Sequence, residues 1–250
     1  MKKDLHILVF LSFFFSCTTH YSLNAPPTAK GIDYSTEKGD SSLTAMIAPY
    51  KLKMEDEMNQ VVGYLAEDME RGYPEGELGN LAADIFYDRA TEEMKLDAAK
   101  SFCLMNNGGL RVSLKKGQIT RGKVFELLPF ENYLCALALS GSELVSKLGP
   151  YLLEKKGQPV SANVLIEFEG KKVKRFELNG KPIDSLTSYL IVTNDYLSNG
   201  GDNMDFFRTA KSKREFEKIK LRDCFIDYFK NYSRETDSIK SSRFGRIKMN

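Results

Sequence analysis

Tyr133-Leu134-Cys135-Ala136-Leu137-Ala138-Leu139-Ser140-Gly141-Ser142-Glu143-Leu144 is the stretch whose reading decides the fold class. Tyr133 to Leu139 is an uncharged apolar run of strand length. Ser140 then stands three residues before Glu143, the spacing of a helix cap, ahead of a new apolar pattern. A strand therefore passes directly into a helix. The predicted helix runs to about Lys155, with a bend at Gly149-Pro150, because proline cannot supply the helical N–H.

The same alternation extends outward. Ser101 to Met105 is a short apolar segment entering a glycine-containing turn, as a buried strand would. Val164 to Phe168 and Lys172 to Leu178 alternate as strands, followed by the tight-turn pair Asn179-Gly180. Ser188 to Thr193 is a further strand, and a short one is expected near Ile247. Helical spacing is read in two places: Met54, Met58, Val61, Val62, Leu65 and Met69, then Leu78, Leu81, Ala82, Ile85 and Phe86. Between them Arg71-Gly72-Tyr73-Pro74-Glu75-Gly76 reads as turns. A last helix is predicted over Ile219 to Phe229. Strands and helices interspersed in this way specify a mixed α/β single domain over residues 49–250.

The residues before it read differently. Lys2 and Lys3 precede an apolar run from Leu5 to Phe15, interrupted only by His6 and Ser12 and too short to span a bilayer. Residues 1–16 have the dimensions of a secretory signal. Phe14-Phe15-Ser16-Cys17 resembles a bacterial lipobox with phenylalanine in the place of the usual leucine. Cys17 is then the lipidation site of an exported protein anchored to a bacterial membrane, with a plain secreted protein as the alternative. Residues 17–48, rich in Ser, Thr, Pro, Lys and Gly, read as a flexible tether.

Composition narrows the chemistry. The chain has 250 residues, with 36 basic against 34 acidic residues and a net charge of +2. No basic stripe argues for a nucleic-acid polymer as partner. The only histidines are His6 and His20, in the signal and the tether. Cys103, Cys135 and Cys224 lie in apolar surroundings without metal-ligand spacing and read as core residues, although one internal disulfide stays open.

Three loops adjoin apolar strands. Asn106-Asn107-Gly108-Gly109-Leu110-Arg111 combines side-chain donors with glycines that let a ligand approach the backbone. Phe125-Glu126-Leu127-Leu128-Pro129-Phe130-Glu131-Asn132 presents an aromatic ring at the mouth of a strand. Asn194-Asp195-Tyr196-Leu197-Ser198-Asn199-Gly200-Gly201-Asp202-Asn203 offers a second ring and a carboxylate able to accept from a diol. Taken singly, each would suit an ordinary polar turn or a ring covering the core.

Together they resemble, in order and spacing, the C-terminal substrate-binding domain of 5′-nucleotidases. The resemblance runs through Leu78-Gly79-Asn80-Leu81-Ala82-Ala83-Asp84, Asn107 to Arg111, Gly117-Gln118-Ile119-Thr120, Leu127-Leu128-Pro129-Phe130, Leu139 to Leu144, Tyr196 to Asp202 and Gly245-Arg246-Ile247, and spans about Lys51 to Lys248. It implies a nucleobase between Phe130 and Tyr196, ribose hydroxyls on Asp202, and nucleoside and phosphate contacts from Asn106, Gly108, Gly109 and Arg111. Asn199 and Gly201 complete the implied substrate-binding set. The family often has another arginine shortly before the Leu78 helix; here Pro74 stands in that position, which implies weaker phosphate binding or a nucleoside ligand. Full-length members also carry a metallophosphoesterase domain whose two metals are held by Asp, Asn and His. This sequence offers no such motifs, so no catalytic or metal-binding residue is expected in it, and divalent metals are expected only on a separate metallophosphoesterase partner. The readings left open are the nucleotide-binding component of a split phosphohydrolase, a non-catalytic nucleoside-binding surface lipoprotein, and a relic kept for protein contacts.

Overall fold

The computed structural model describes residues 39–210, 212–240 and 244–249. The segment expected to be a signal, Cys17, both histidines and the expected tether as far as residue 38 lie outside the described residues. The chain divides into two units, Met1–Ile47 and Ala48–Asn250. Helix α1, Ser41–Met58, begins in the first and ends in the second. Residues 41–48, expected in the tether, are therefore helical. Asp40 explains the start: its Oδ1 accepts from the N–H groups of Ser42 at 2.8 Å and Leu43 at 3.2 Å, satisfying donors that a helix start leaves open.

The elements that follow are β1 Val61–Leu65, α2 Glu77–Met94, β2 Ser101–Cys103, β3 Gly117–Thr120, α3 Arg121–Leu127 and β4 Tyr133–Ser140. A broken helix comes next: α4 Gly141–Glu143, a π-helical turn Leu144–Leu148, and α5 Gly149–Glu154. The second half comprises β5 Val164–Glu169, β6 Lys172–Leu178, β7 Lys181–Pro182, β8 Ser188–Asn194, α6 Asp195–Ser198, α7 Asp205–Arg208, β9 Ser212–Lys220, α8 Leu221–Tyr232 and β10 Ile247–Met249.

The central sheet has the order β2-β8-β4-β9. β2 runs parallel to β8, and β4 is antiparallel to β8 and to β9. Side chains alternate between two cores. Leu134, Ala136, Val192 and Cys103 enter one, beneath α2 and α8, with Phe86, Phe225 and Phe229. Leu137, Leu139, Ile191 and Phe102 enter the other, beneath α5 and the second sheet, β10-β5-β6-β7. A strand buried on both faces has no need of polar residues, which is why β4 reads as a continuous apolar run. Each fully buried phenylalanine contributes about 1.5–3 kcal/mol over an exposed one. Cys103, Cys135 and Cys224 are all free and buried.

Several sequence expectations need correction. The stripe from Met54 to Met69 is not one helix: α1 stops at Met58, and Val61–Leu65 is a strand paired antiparallel with β3. Val61, Val62, Leu65 and Met69 satisfy a helical period, yet they lie on extended backbone, with Val62, Leu65 and Met69 buried, Met69 bridged to Leu114, and Val61 exposed. Gly63 lets this strand pack against α8, since a Cβ there would meet Phe229 Cδ1 at 2.7 Å. The helix opened by Ser140 has its capping box, with Ser140 Oγ accepting from Glu143 N–H and Glu143 accepting from Ser140 N–H. Its interruption is the π-helical turn just before Pro150 rather than a simple bend. Phe125 to Leu127 belong to α3, so the second loop starts only at Leu128. The last helix starts at Leu221, because Ile219 and Lys220 end β9, and the third loop contains the helical turn α6.

An ion pair between buried Arg246 and partly buried Asp84 ties the start of the domain to its end. Arg246 Nη1 and Nη2 donate to Asp84 Oδ1 at 2.8 Å and Oδ2 at 2.7 Å, and Nη1 also reaches the carbonyls of Val160 and Asn80. Glu75 Oε1 accepts from Gly245 N–H at 3.1 Å and Ile247 N–H at 2.8 Å. Removing one partner of such a pair strands the other charge in the interior. Asp84→Ala should therefore lower unfolding free energy by about 3 kcal/mol in urea titration; a loss below about 1 kcal/mol would show the pair to be dispensable.

Candidate functional site

Sheet direction brings the three loops together. β2 and β8 are parallel, so the segments after them, beginning at Asn106 and Asp195, leave the sheet at the same end. β4 is antiparallel, so the segment entering it, Leu128 to Asn132, arrives at that end too, with Leu134 opposite Asn194. The result is a cleft of about 340 Å³ lined by Asn106, Gly108, Gly109, Arg111, Phe130, Asn132, Tyr196 and Asp202. Cleft and sheet end coincide at the position where open α/β sheets commonly take ligands.

The walls are aromatic. Phe130 is 54% exposed and Tyr196 46%, although both are large rings beside a well-buried core. The Arg111 guanidinium lies 5.8 Å from the Phe130 ring centroid, and its Nη1 donates to the Gly108 carbonyl at 3.3 Å. The Tyr196 ring rests against backbone: a Cβ on Gly201 would stand 2.5 Å from two of its carbons, so only glycine permits that approach.

A carboxylate closes the floor. Asp202 Oδ2 accepts from Asn106 Nδ2 at 2.8 Å and Oδ1 accepts from the Tyr196 hydroxyl at 2.9 Å. Its own N–H donates back to that hydroxyl at 3.2 Å. Asp202 has a left-handed backbone, φ 54°, directly after Gly200 and Gly201. That conformation costs a non-glycine residue of order 1 kcal/mol and aims the side chain back at Tyr196. Asn106 is itself buried, and its Oδ1 accepts from Asn194 Nδ2 at 3.2 Å. Asn194 also caps α6, accepting from Leu197 N–H at 2.7 Å.

Of the residues named from sequence, Asn106, Gly108, Gly109, Arg111, Phe130, Tyr196 and Asp202 all line the cleft. Asn199 and Gly201 do not. Asn199 is exposed and bonded to Lys213 Nζ at 2.6 Å through Oδ1, and Gly201 supports the Tyr196 ring from behind. Two contributors were not singled out from sequence. Asn132 lines the cleft while its Nδ2 donates to Asp195 Oδ1 at 2.8 Å. Arg222, on α8, donates to carbonyls of the Phe130 loop. Asn132 follows Phe130 by two residues and could have been marked by that spacing. Arg222 has no local signature.

Among the described residues no group of three or more His, Cys, Asp or Glu side chains converges as ligands would, and Asp202, the cleft's carboxylate, is already held by two donors. No hydrolytic step is assigned to the described residues.

Fold and cleft define a class: a mixed α/β domain with an aromatic-walled cleft at the common end of its central strands. Residues 61–209 match the family model described as "5′-nucleotidase, C-terminal domain", and the chain belongs to that family. It is 31% identical over 174 residues to endonuclease YhcR of Bacillus subtilis, covering 67% of this chain and 14% of that one. It is 30% identical over 164 residues to a probable 5′-nucleotidase of Treponema pallidum, covering 56% of this chain and 28% of that one. A solved 5′-nucleotidase precursor from Thermus thermophilus superposes with a TM-score of 0.68 at 26% identity, over 82% of this chain and 42% of that one. The chain thus spans less than half of each of these relatives.

Hydrogen bonding to Asp202 stabilises the protonated phenol and pushes the Tyr196 pKa above its ordinary value of 10.0. In an NMR titration of the tyrosine rings, Tyr196 should ionise above that value, and Asp202→Asn should bring it down. A Tyr196 titration that Asp202→Asn leaves unchanged would contradict the pairing.

Proposed function

We propose that this domain is the nucleoside- or nucleotide-binding component of a 5′-nucleotidase-type phosphohydrolase. The observation that carries the reading is the pairing of two half-exposed rings, Phe130 and Tyr196, with one tethered carboxylate, Asp202, around a single cleft. Planar faces suit a nucleobase, since stacking is sequence-tolerant and worth about 1–3 kcal/mol per base. The carboxylate keeps acceptor capacity beyond its two bonds, as a ribose diol would require. Arg111, at the rim, offers a planar guanidinium to a phosphate. Relatives named as nucleotidases support the same ligand class.

Hydrolysis requires a nucleophile and charge neutralisation at phosphorus, which two metals supply in metallophosphoesterases. We assign that role to a metallophosphoesterase partner and substrate gripping to this domain. The reading also places the protein outside the cytoplasm, lipid-anchored through Cys17; one relative is a cell wall protein of Listeria monocytogenes.

Calorimetry with adenosine and AMP tests the cleft. Phe130→Ala and Tyr196→Ala should each cost about 1–3 kcal/mol of affinity. Asp202→Ala should weaken adenosine more than 2′,3′-dideoxyadenosine. Equal losses for both sugars, or no binding to the unmodified protein, would refute the assignment. Adding the protein to a purified metallophosphoesterase from the same organism should raise phosphate release from AMP; no gain would remove the proposed partnership. The mature N-terminus, read by mass spectrometry as acylated Cys17, checks the anchor.

A further inference from the structure

The beginning of α8 grips the Phe130 loop residue by residue. Arg222 Nε donates to the Leu128 carbonyl at 2.9 Å, and its Nη2 donates to Pro129 O at 3.0 Å and Phe130 O at 3.4 Å. Lys220 Nζ pairs with Glu131 at 3.0 Å, and Leu221 N–H donates to Asn132 O at 3.0 Å. Residues 128–132 are thus tied in sequence to residues 220–222. Arg222 is 8% exposed, and its guanidinium lies 4.0 Å from the Phe125 ring centroid.

This is an unfavourable place for a cation. The first turn of a helix carries the positive end of its dipole, and burial penalises charge further. Three carbonyl oxygens and the Phe125 ring face offset that cost. An apolar side chain of similar length would fill the same space without the desolvation penalty, but it could not hold three successive carbonyls. The planar fork can, because its donors are fixed relative to one another.

We propose that Arg222 is a positioning residue for ligand binding: by collecting the carbonyls of Leu128, Pro129 and Phe130 it fixes the ring of Phe130 as one wall of the clamp. The proposal rests on the nucleoside-binding reading. Arg222 lies on the core side of the loop and acts through Phe130.

The test is a double-mutant cycle read by adenosine calorimetry on the unmodified protein, Arg222→Met, Phe130→Ala and the double variant, with Arg222→Lys alongside and thermal melting to confirm folding. Arg222→Met should weaken binding by about tenfold, within the range a lost stacking face spans. In the Phe130→Ala background the same change should alter affinity by less than about twofold, since there is no ring left to place. Arg222→Lys, which retains charge without the fork, should lose an intermediate amount. A merely structural arginine would cost the same factor in both backgrounds, and that result overturns the proposal. So would unchanged affinity in Arg222→Met, or failure of both Arg222 variants to fold. Should Phe130→Ala itself leave adenosine affinity intact, the nucleoside reading has failed and the proposal falls with it; an effective Phe130→Ala with additive losses condemns only the role of Arg222.

Discussion

The Asp202 carboxylate is the point on which the cleft depends, because it accepts from two loops at once. Asn106 reaches it from the segment after β2, and Tyr196 from the segment after β8. Asn194 secures Asn106 in turn. Without that carboxylate, the Asn106 amide and the Tyr196 hydroxyl would each lose an acceptor, leaving the ring held only by Gly201 and the Asp202 N–H. Hydrogen bonds to a charged acceptor are stronger than neutral ones, so a single residue can hold both loops in register. The left-handed backbone at Asp202 is the local cost of aiming it there.

The rest of the fold serves to deliver these loops to one end of a sheet. Parallel β2 and β8 point their exits the same way, and antiparallel β4 sends its entry to meet them. Helices α2 and α8 cover one face of that sheet, with α5 and the second sheet on the other, leaving the loop end as the open surface. The wall bearing Phe130 is supported differently from the wall bearing Tyr196. Tyr196 is held by its own hydroxyl and by close backbone packing, whereas Phe130 has no polar handle and its loop is secured through backbone carbonyls. The segments Leu78 to Asp84 and Gly245 to Ile247 serve neither wall: they meet one another in the Asp84–Arg246 pair and fasten the two ends of the domain together.

Much of this was legible from sequence, and the gaps have physical causes. The strand-to-helix junction at Ser140 could be read because strand hydrophobicity and the capping box are local properties. Most of the cleft residues could be named because their loops together resemble, in order and spacing, those of the 5′-nucleotidase C-terminal domain; each loop alone reads as an ordinary turn. β1 was misread because Val61, Val62, Leu65 and Met69 fit a helical period as well as an extended one; the deciding contacts, with β3, Leu114 and Phe229, lie 45 or more residues away. β9 was missed because an exposed edge strand, rich here in Lys, Arg and Glu, has little apolar signal. Arg222 was invisible for a similar reason. Nothing in Leu221-Arg222-Asp223 distinguishes a buried arginine from a solvated one until the Phe130 loop is placed above it.

On the proposed reading, the cleft supplies shape, stacking and a diol acceptor, and the chemistry at phosphorus is assigned to a metal-bearing partner. The most direct test of the part assigned to the cleft is a crystal structure of this domain with adenosine bound. The account predicts the base between the Phe130 and Tyr196 rings and the ribose hydroxyls within hydrogen-bond distance of Asp202. Adenosine bound elsewhere, or in the cleft with its base outside the two rings, would contradict it.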